Sequence, residues 1–147
     1  MKRSERIKAI HSVAEHEERE YSKRFGAAQQ DLAAAMQKLA ELDEYRRDYR
    51  ETTVVRPGAP AAAWQEHNRF LQRLDQAVAA QQAIVRDGEV RREKHRQQWM
   101  VKRQRLESLS RAVERFSDAE RGAAERSEQR AQDDAAQRSG GFSKSTG

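Results

Sequence analysis

The side chains able to do chemistry near neutral pH are few. The four histidines are His11, His16, His67 and His95, and there is no cysteine. Without cysteine there is no disulfide, no thiolate ligand and no thiol nucleophile. No two histidines stand four apart, so the two-histidine metal site of a helix face is not supported. We expect no metal and no cofactor. The tail Ser139-Gly140-Gly141-Phe142-Ser143-Lys144-Ser145-Thr146 has the glycines and Lys-Ser of a phosphate loop. It lacks the GxxxxGK[ST] spacing, and no strand precedes it. One further feature is electrostatic. Arg91, Arg92, Lys94, Arg96, Lys102, Arg103 and Arg105 form a locally basic stretch. Such a stripe can neutralise phosphates or meet an acidic protein surface. Yet the 29 bases are interleaved with 24 acids, and Trp99 is the one aromatic within the stretch. A solvated charged helix face is the simpler reading.

The elements that position these residues follow from composition. Ala, Glu, Lys, Leu and Arg make up 75 of the 147 residues, while Leu, Ile, Val and Phe together number 22. So few large apolar residues cannot build a layered globular core. They suffice for long helices in a coiled coil if a period near 3.5 is present, and otherwise the chain is disordered. No apolar run approaches the roughly 20 residues that span a bilayer. The N-terminal stretch lacks the apolar segment of a secretory signal. A cytoplasmic protein is expected.

Both prolines, Pro57 and Pro60, lie in Thr52-Thr53-Val54-Val55-Arg56-Pro57-Gly58-Ala59-Pro60. Proline breaks a helix, and Pro-Gly favours a turn. We therefore expect helices over about 4–51 and 62–128 joined by a turn at 52–61. At 1.5 Å per residue they would be about 70 Å and 100 Å long. After about Ala124 the apolar positions fade to alanine, so a disordered tail is expected over 129–147.

Periodicity decides in favour of helix. From Trp64, alternating steps of three and four reach His67, Leu71, Leu74, Val78, Gln81, Val85 and Gly88. The same steps pass Arg92, His95, Trp99 and Lys102 and end on Leu106, Leu109, Val113 and Phe116. In the first arm they join Ile7, His11, Ala14, Glu18, Tyr21, Phe25, Ala28, Leu32, Ala35, Leu39, Leu42, Arg46 and Tyr49. Sustained spacing of this kind specifies a left-handed coiled coil. The short turn makes it antiparallel, so the fold class is all-α, a long two-helix antiparallel coiled-coil hairpin over residues 1–128.

Setting Tyr49 against Trp64 predicts the layers. Leu42 then meets Leu71, Leu39 meets Leu74, Ala35 meets Val78, Leu32 meets Gln81 and Phe25 meets Gly88. Tyr21 would form a cation–π contact with Arg92, and Glu18 would oppose His95. His11 falls against Lys102, where Ile10 is expected to displace it through a stutter. In this register Val113 and Phe116 face nothing. The second helix should project with an apolar stripe of Leu106, Leu109, Val113 and Phe116. Near the turn, Tyr45 and Phe70 flank the seam and, with Tyr49, Trp64, Leu74 and Ala77, form an exposed aromatic patch. Such patches mark partner surfaces. A two-helix hairpin offers no water-excluding pocket, so no enzyme and no catalytic residue are expected.

These residues resemble the FliJ family of flagellar type III export chaperones and its injectisome relatives. Ala27-Ala28-Gln29-Gln30-Asp31-Leu32 and Leu39-Ala40-Glu41-Leu42-Asp43-Glu44-Tyr45-Arg46-Arg47-Asp48-Tyr49 are similar to the family's first helix. Asn68-Arg69-Phe70-Leu71-Gln72-Arg73-Leu74-Asp75-Gln76-Ala77 is similar to its return helix, and the basic run through Trp99 fits as well. The resemblance spans roughly residues 1–125. It implies a non-enzymatic export component, similar to the central stalk of rotary ATPases, that links the export ATPase to the export gate. The implied partners are the hexameric ATPase FliI, its regulator FliH, the cytoplasmic domain of FlhA and other export chaperones. Nucleic acid is not among them. The implied location is cytoplasmic, peripheral to the inner-membrane export apparatus. On the family pattern, the gate-binding face maps onto Leu42, Tyr45, Tyr49, Phe70, Leu74 and Ala77. The ATPase end maps by position onto Leu106, Leu109, Val113 and Phe116. The alternatives are a coiled-coil scaffold that self-associates through the overhang and a nucleic-acid binder that uses the basic stripe.

Overall fold

Alanine, glutamate, arginine and glutamine dominate both arms, and all are strong helix formers. The structure, a computed structural model, describes residues 2–144, with side chains as far as Gly141. It contains two helices, α1 (Arg3–Thr52, 50 residues) and α2 (Ala61–Lys144, 84 residues). Among the described residues there is no strand. Glu5 in the first turn of α1 and Arg50 in its last turn complement the helix dipole. The fold is the all-α antiparallel coiled-coil hairpin that the heptad pattern specifies.

The turn between the helices is built on two residues. Ala59 N donates to Arg56 O at 3.0 Å, and Gly58 has φ +87°, the one positive φ in the described chain. Pro57 then Gly58 at the centre of such a turn is type II geometry, which needs a residue without a Cβ at its third position. Pro60 immediately precedes α2, where its missing N–H costs nothing, and its carbonyl accepts from Ala63 N at 3.0 Å.

By contact density the chain forms two units, one comprising Arg19–Val101 and the other comprising the chain up to Glu18 and from Lys102 onward. The Arg19–Val101 unit contains the turn and an antiparallel helix pair. Its core is Leu32, Leu74, Val78 and Val85, with Val78 only 2% exposed. Each fully buried aliphatic side chain contributes roughly 1.5–3 kcal/mol. Gln81 is buried among them, and its amide donates to Ala35 O at 2.9 Å. A buried amide that must find a backbone carbonyl fixes the relative setting of the two helices.

That setting differs from the expectation by one heptad. Leu32 lies against Gly88, not Gln81: a Cβ built on Gly88 would come 3.2 Å from Leu32 Cδ1. Phe25 stacks on Trp99, with centroids 5.7 Å apart and planes at 12°. Tyr49 stacks on His67 at 5.4 Å, and Trp64 stays 43% exposed. Arg24 lies over the Tyr21 ring, at 4.7 Å. A slip of seven residues keeps every seam residue on the seam, so the period alone cannot exclude it. The turn decides the register. Val55 and Ala59 are half-buried there, and the first turn of α2 runs past the end of α1.

In the other unit the cross-helix links are largely polar. Lys102 Nζ pairs with Glu17 Oε2 at 3.1 Å, and His11 Nε2 is hydrogen-bonded to Ser110 Oγ at 2.8 Å. Ser4 donates through its backbone N to Glu120 Oε1 at 3.2 Å and through its hydroxyl to Oε2. His11 keeps its place on the seam, and Ile10, expected to displace it, is 47% exposed. A histidine with a hydroxyl and a carboxylate as partners has no reason to leave.

The C-terminal part of α2 corrects the expected tail. The helix does not end near residue 128 but continues through Lys144. Loss of the apolar stripe ends the packing, not the helix. Residues 123–141 are all exposed, yet they are rich in alanine, glutamine and arginine. Gln129 also bonds Asp133 one turn on, at 3.3 Å. The part of the expected tail at 145–147 lies outside the described residues.

Candidate functional site

In the Arg19–Val101 unit, a seam only one side chain wide cannot absorb Tyr45 and Phe70 as well as Tyr49. Tyr49 is the last seam position of α1, and Tyr45 precedes it by one turn. Phe70 precedes Leu71 on α2. The three rings meet: Tyr49 and Phe70 lie 4.5 Å apart at 50°, and Tyr45 and Phe70 lie 6.4 Å apart edge to face. His67 extends the cluster, with Nδ1 3.3 Å from Tyr49 Oη. Tyr45 remains 53% exposed, while Tyr49 and Phe70 are half-buried.

The six residues assigned to this face therefore divide. Tyr45, Tyr49 and Phe70 form a contiguous surface cluster. Leu42 and Ala77 are half-buried. Leu74 is 7% exposed and belongs to the core, where it supports the helix pair. Beside the cluster, Asp75 accepts from Arg46 Nη1 at 3.1 Å and from Arg50 Nη2 at 2.9 Å, and Arg46 also pairs with Asp43 at 2.9 Å. Sequence reasoning missed this chain of ions. Its signal was present, because Asp43, Arg50 and Asp75 stand on the flanks of the seam around Arg46, where charged pairs set orientation.

The Leu106, Leu109, Val113 and Phe116 positions do not project. All four are half-buried in the unit that carries Ser4, Ile7 and Ala14, and the Ser4–Glu120 link lies beyond Phe116. The one-heptad shift supplies them with a partner helix. Self-association through a bare overhang loses its premise. The Ser4 hydroxyl, bonded to the Glu120 carboxylate, holds that carboxyl below the usual glutamate range.

His11 has Glu15 Oε1 2.9 Å from Nδ1 and Ser110 Oγ 2.8 Å from Nε2. The order hydroxyl, imidazole, carboxylate is that of a nucleophilic triad. Acyl transfer also needs N–H donors aimed at the developing oxyanion, and the backbone N–H groups of these helix interiors are committed to the helices. The trio ties one helix to the other. No group of histidine and acidic side chains among the described residues could hold a metal ion.

The basic stretch is partly neutralised within the protein. Arg96 makes a forked contact with Glu93 at 2.8 and 2.9 Å, Arg103 lies 3.6 Å from Glu107, and Lys102 is paired with Glu17. The Arg96 bond holds the Glu93 carboxyl down at about 2. Trp99, the aromatic of that stretch, is stacked on Phe25.

The fold and these surfaces define a helical-hairpin protein with a partly exposed aromatic cluster on its flank. Residues 2–144 match the family model described as flagellar FliJ protein, and the chain belongs to that family. The family places it among the components of the flagellar protein-export apparatus. No curated protein matches the chain. No helix among the described residues is long and apolar enough to cross a membrane.

Proposed function

We propose that this chain is a non-enzymatic adaptor of the export apparatus, a stalk-like general export chaperone that links the ATPase FliI and its regulator FliH to the gate FlhA. It works in the cytoplasm, peripheral to the membrane. The gate contact is assigned to the Tyr45, Tyr49 and Phe70 cluster, with Leu42 and Ala77 at its margin and Leu74 supporting it from the core. The observation that carries this reading is the 53% exposure of Tyr45 packed edge to face on Phe70. Clustered aromatics left partly in water are the usual anchors of an interface. The ATPase contact is assigned to the stretch of α2 that carries Leu106, Leu109, Val113 and Phe116. Half-buried as they are, these residues present only their outer edges to a partner. The hairpin then conveys or times events between ATPase and gate.

The test is the double variant Tyr45→Ala, Phe70→Ala. Loss of an aromatic hot spot costs about 2 kcal/mol or more, or roughly 30-fold in affinity. The variant should keep its circular-dichroism helicity and lose affinity for the purified FlhA cytoplasmic domain by at least that factor. Undiminished binding removes the assignment.

A further inference from the structure

A different surface of the Arg19–Val101 unit is shaped for a ligand. Small side chains at Ala27, Ala28 and Ala35, with none at Gly88, leave a groove of about 430 Å³ along one side of the helix pair. Gly88 cannot be filled without moving the core, because its Cβ would press on Leu32 Cδ1 at 3.2 Å. Ile84 forms an apolar wall and is 47% exposed. His95 also lines the groove, and its Nδ1 is buried with no hydrogen-bond partner among the described residues.

The rim gives the sign of the ligand. Arg24 stands on one helix and Arg91 on the other. Arg24 lies over Tyr21, and Arg91 reaches only its own helix at Asp87 O, 3.5 Å away. Neither guanidinium has a carboxylate partner among the described residues. Asp31 is the single acid lining the groove.

The shape gives the class. Ala77, Ile84 and Arg91 are spaced by seven, as are Arg24, Asp31 and Lys38. Each set runs along one side of its helix. The floor between them is lined with small residues, which lets a third backbone approach closely. We propose that this groove docks an acidic amphipathic helix of a partner protein. Its apolar side chains lie on Ala27, Ala28 and Ile84, and its carboxylates meet Arg24 and Arg91. This is helix-in-groove recognition, and it is independent of the gate reading.

The probe is an 18-residue amphipathic peptide with leucines on one face and glutamates on the other, end-labelled with a fluorophore. A counterpart carries lysine for every glutamate. Anisotropy titrations use the full chain. The acidic peptide should bind, and the basic one at least tenfold more weakly. Ile84→Glu, and separately Arg24→Glu with Arg91→Glu, should each cost at least tenfold. All three positions are exposed, so circular dichroism should show unchanged helicity. The Tyr45→Ala, Phe70→Ala variant should bind the peptide as the parent does. The proposal is overturned if the acidic peptide does not bind, if the basic peptide binds equally, or if Ile84→Glu has no effect. It is also overturned if the aromatic variant abolishes binding, which would place the peptide on the other cluster. Light scattering gives a further outcome: a dimer that Ile84→Glu dissociates would make the occupant a second copy and overturn the proposal.

Discussion

The pairing of Leu32 with Gly88 can be tested by exchanging bulk across the seam. Leu32 is 5% exposed, and its Cδ1 would be 3.2 Å from a Cβ at position 88. Leu32→Ala removes three carbons from a buried site whose flanks are open, so a cost at the lower end of the usual range, about 2–3 kcal/mol, is expected. Gly88→Leu has two opposed effects. Replacing a mid-helix glycine gains about 0.8 kcal/mol in helix propensity. The new side chain must displace Leu32 and meets its backbone, since a Cβ alone already lies 3.8 Å from Leu32 Cα. Overpacking of this kind costs about 1–3 kcal/mol, leaving a net loss of about 1 kcal/mol.

The double variant places one leucine where the parent has one, on the other helix. It should be less destabilised than the sum of the single changes by at least about 1 kcal/mol. Both tryptophans, Trp64 and Trp99, lie in the Arg19–Val101 unit. Tryptophan fluorescence during urea unfolding therefore reports on that unit. Pairing Phe25→Ala with Gly88→Leu provides the control, because Phe25 packs on Trp99. Additivity of the Leu32 pair within about 0.5 kcal/mol, with coupling in the Phe25 pair, would refute the register and restore the one predicted from the turn.

Three further outcomes are expected. Ser4→Ala should lower the melting temperature at neutral pH. Glu120 is depressed when folded, so the stabilisation is present above the ordinary glutamate value and disappears as pH falls through the folded one. Parent and variant melts should converge on acidification, and a gap that persists at low pH contradicts the Ser4–Glu120 bond. Asp75→Asn should cost no more than about 1 kcal/mol, because its arginine partners are partly exposed, and the loss should vanish in high salt. In hydrogen exchange, amides around Leu74–Val85 should be the slowest and those of 123–141 the fastest, with residues 4–14 between. Equal protection throughout would contradict the uneven distribution of buried side chains.

The seam was legible residue by residue. Every predicted seam position from Ile7 to Tyr49 and from His67 to Phe116 is buried or half-buried, and Trp64 alone is exposed. The register was not legible, because a heptad pattern maps onto itself after seven residues. Large-against-small matching also found plausible layers in the wrong register: Phe25 against Gly88 looked as good as Leu32 against Gly88. The end of α2 was misjudged because fading apolarity is a signal about packing, whereas helix continuation depends on propensity. Of the candidate sites, the aromatic cluster could be read from Tyr45 and Phe70 standing one residue before the seam. The groove could not, because it depends on which residues of the two helices line it together, and that is fixed only by the register.

The same register explains why the chain can spend so few apolar residues and still present binding surfaces. A two-helix seam buries one stripe on each helix and no more. Leu32, Leu74, Val78 and Val85 fill that stripe in the Arg19–Val101 unit, and Gln81 fixes its setting. Any further large apolar residue must then stand at the flank, partly in water. Tyr45, Phe70 and Ile84 stand there. Keeping Ala28 and Ala35 small beside the Leu32–Gly88 contact gives up packing, which a thin core can ill spare. The side of the hairpin that carries Ile84 gains a concave surface between two arginines from that concession. A helix pair built only for stability would carry larger apolar residues at Ala28 and Ala35, as the neighbouring layers at Leu32 and Leu39 show the seam can hold.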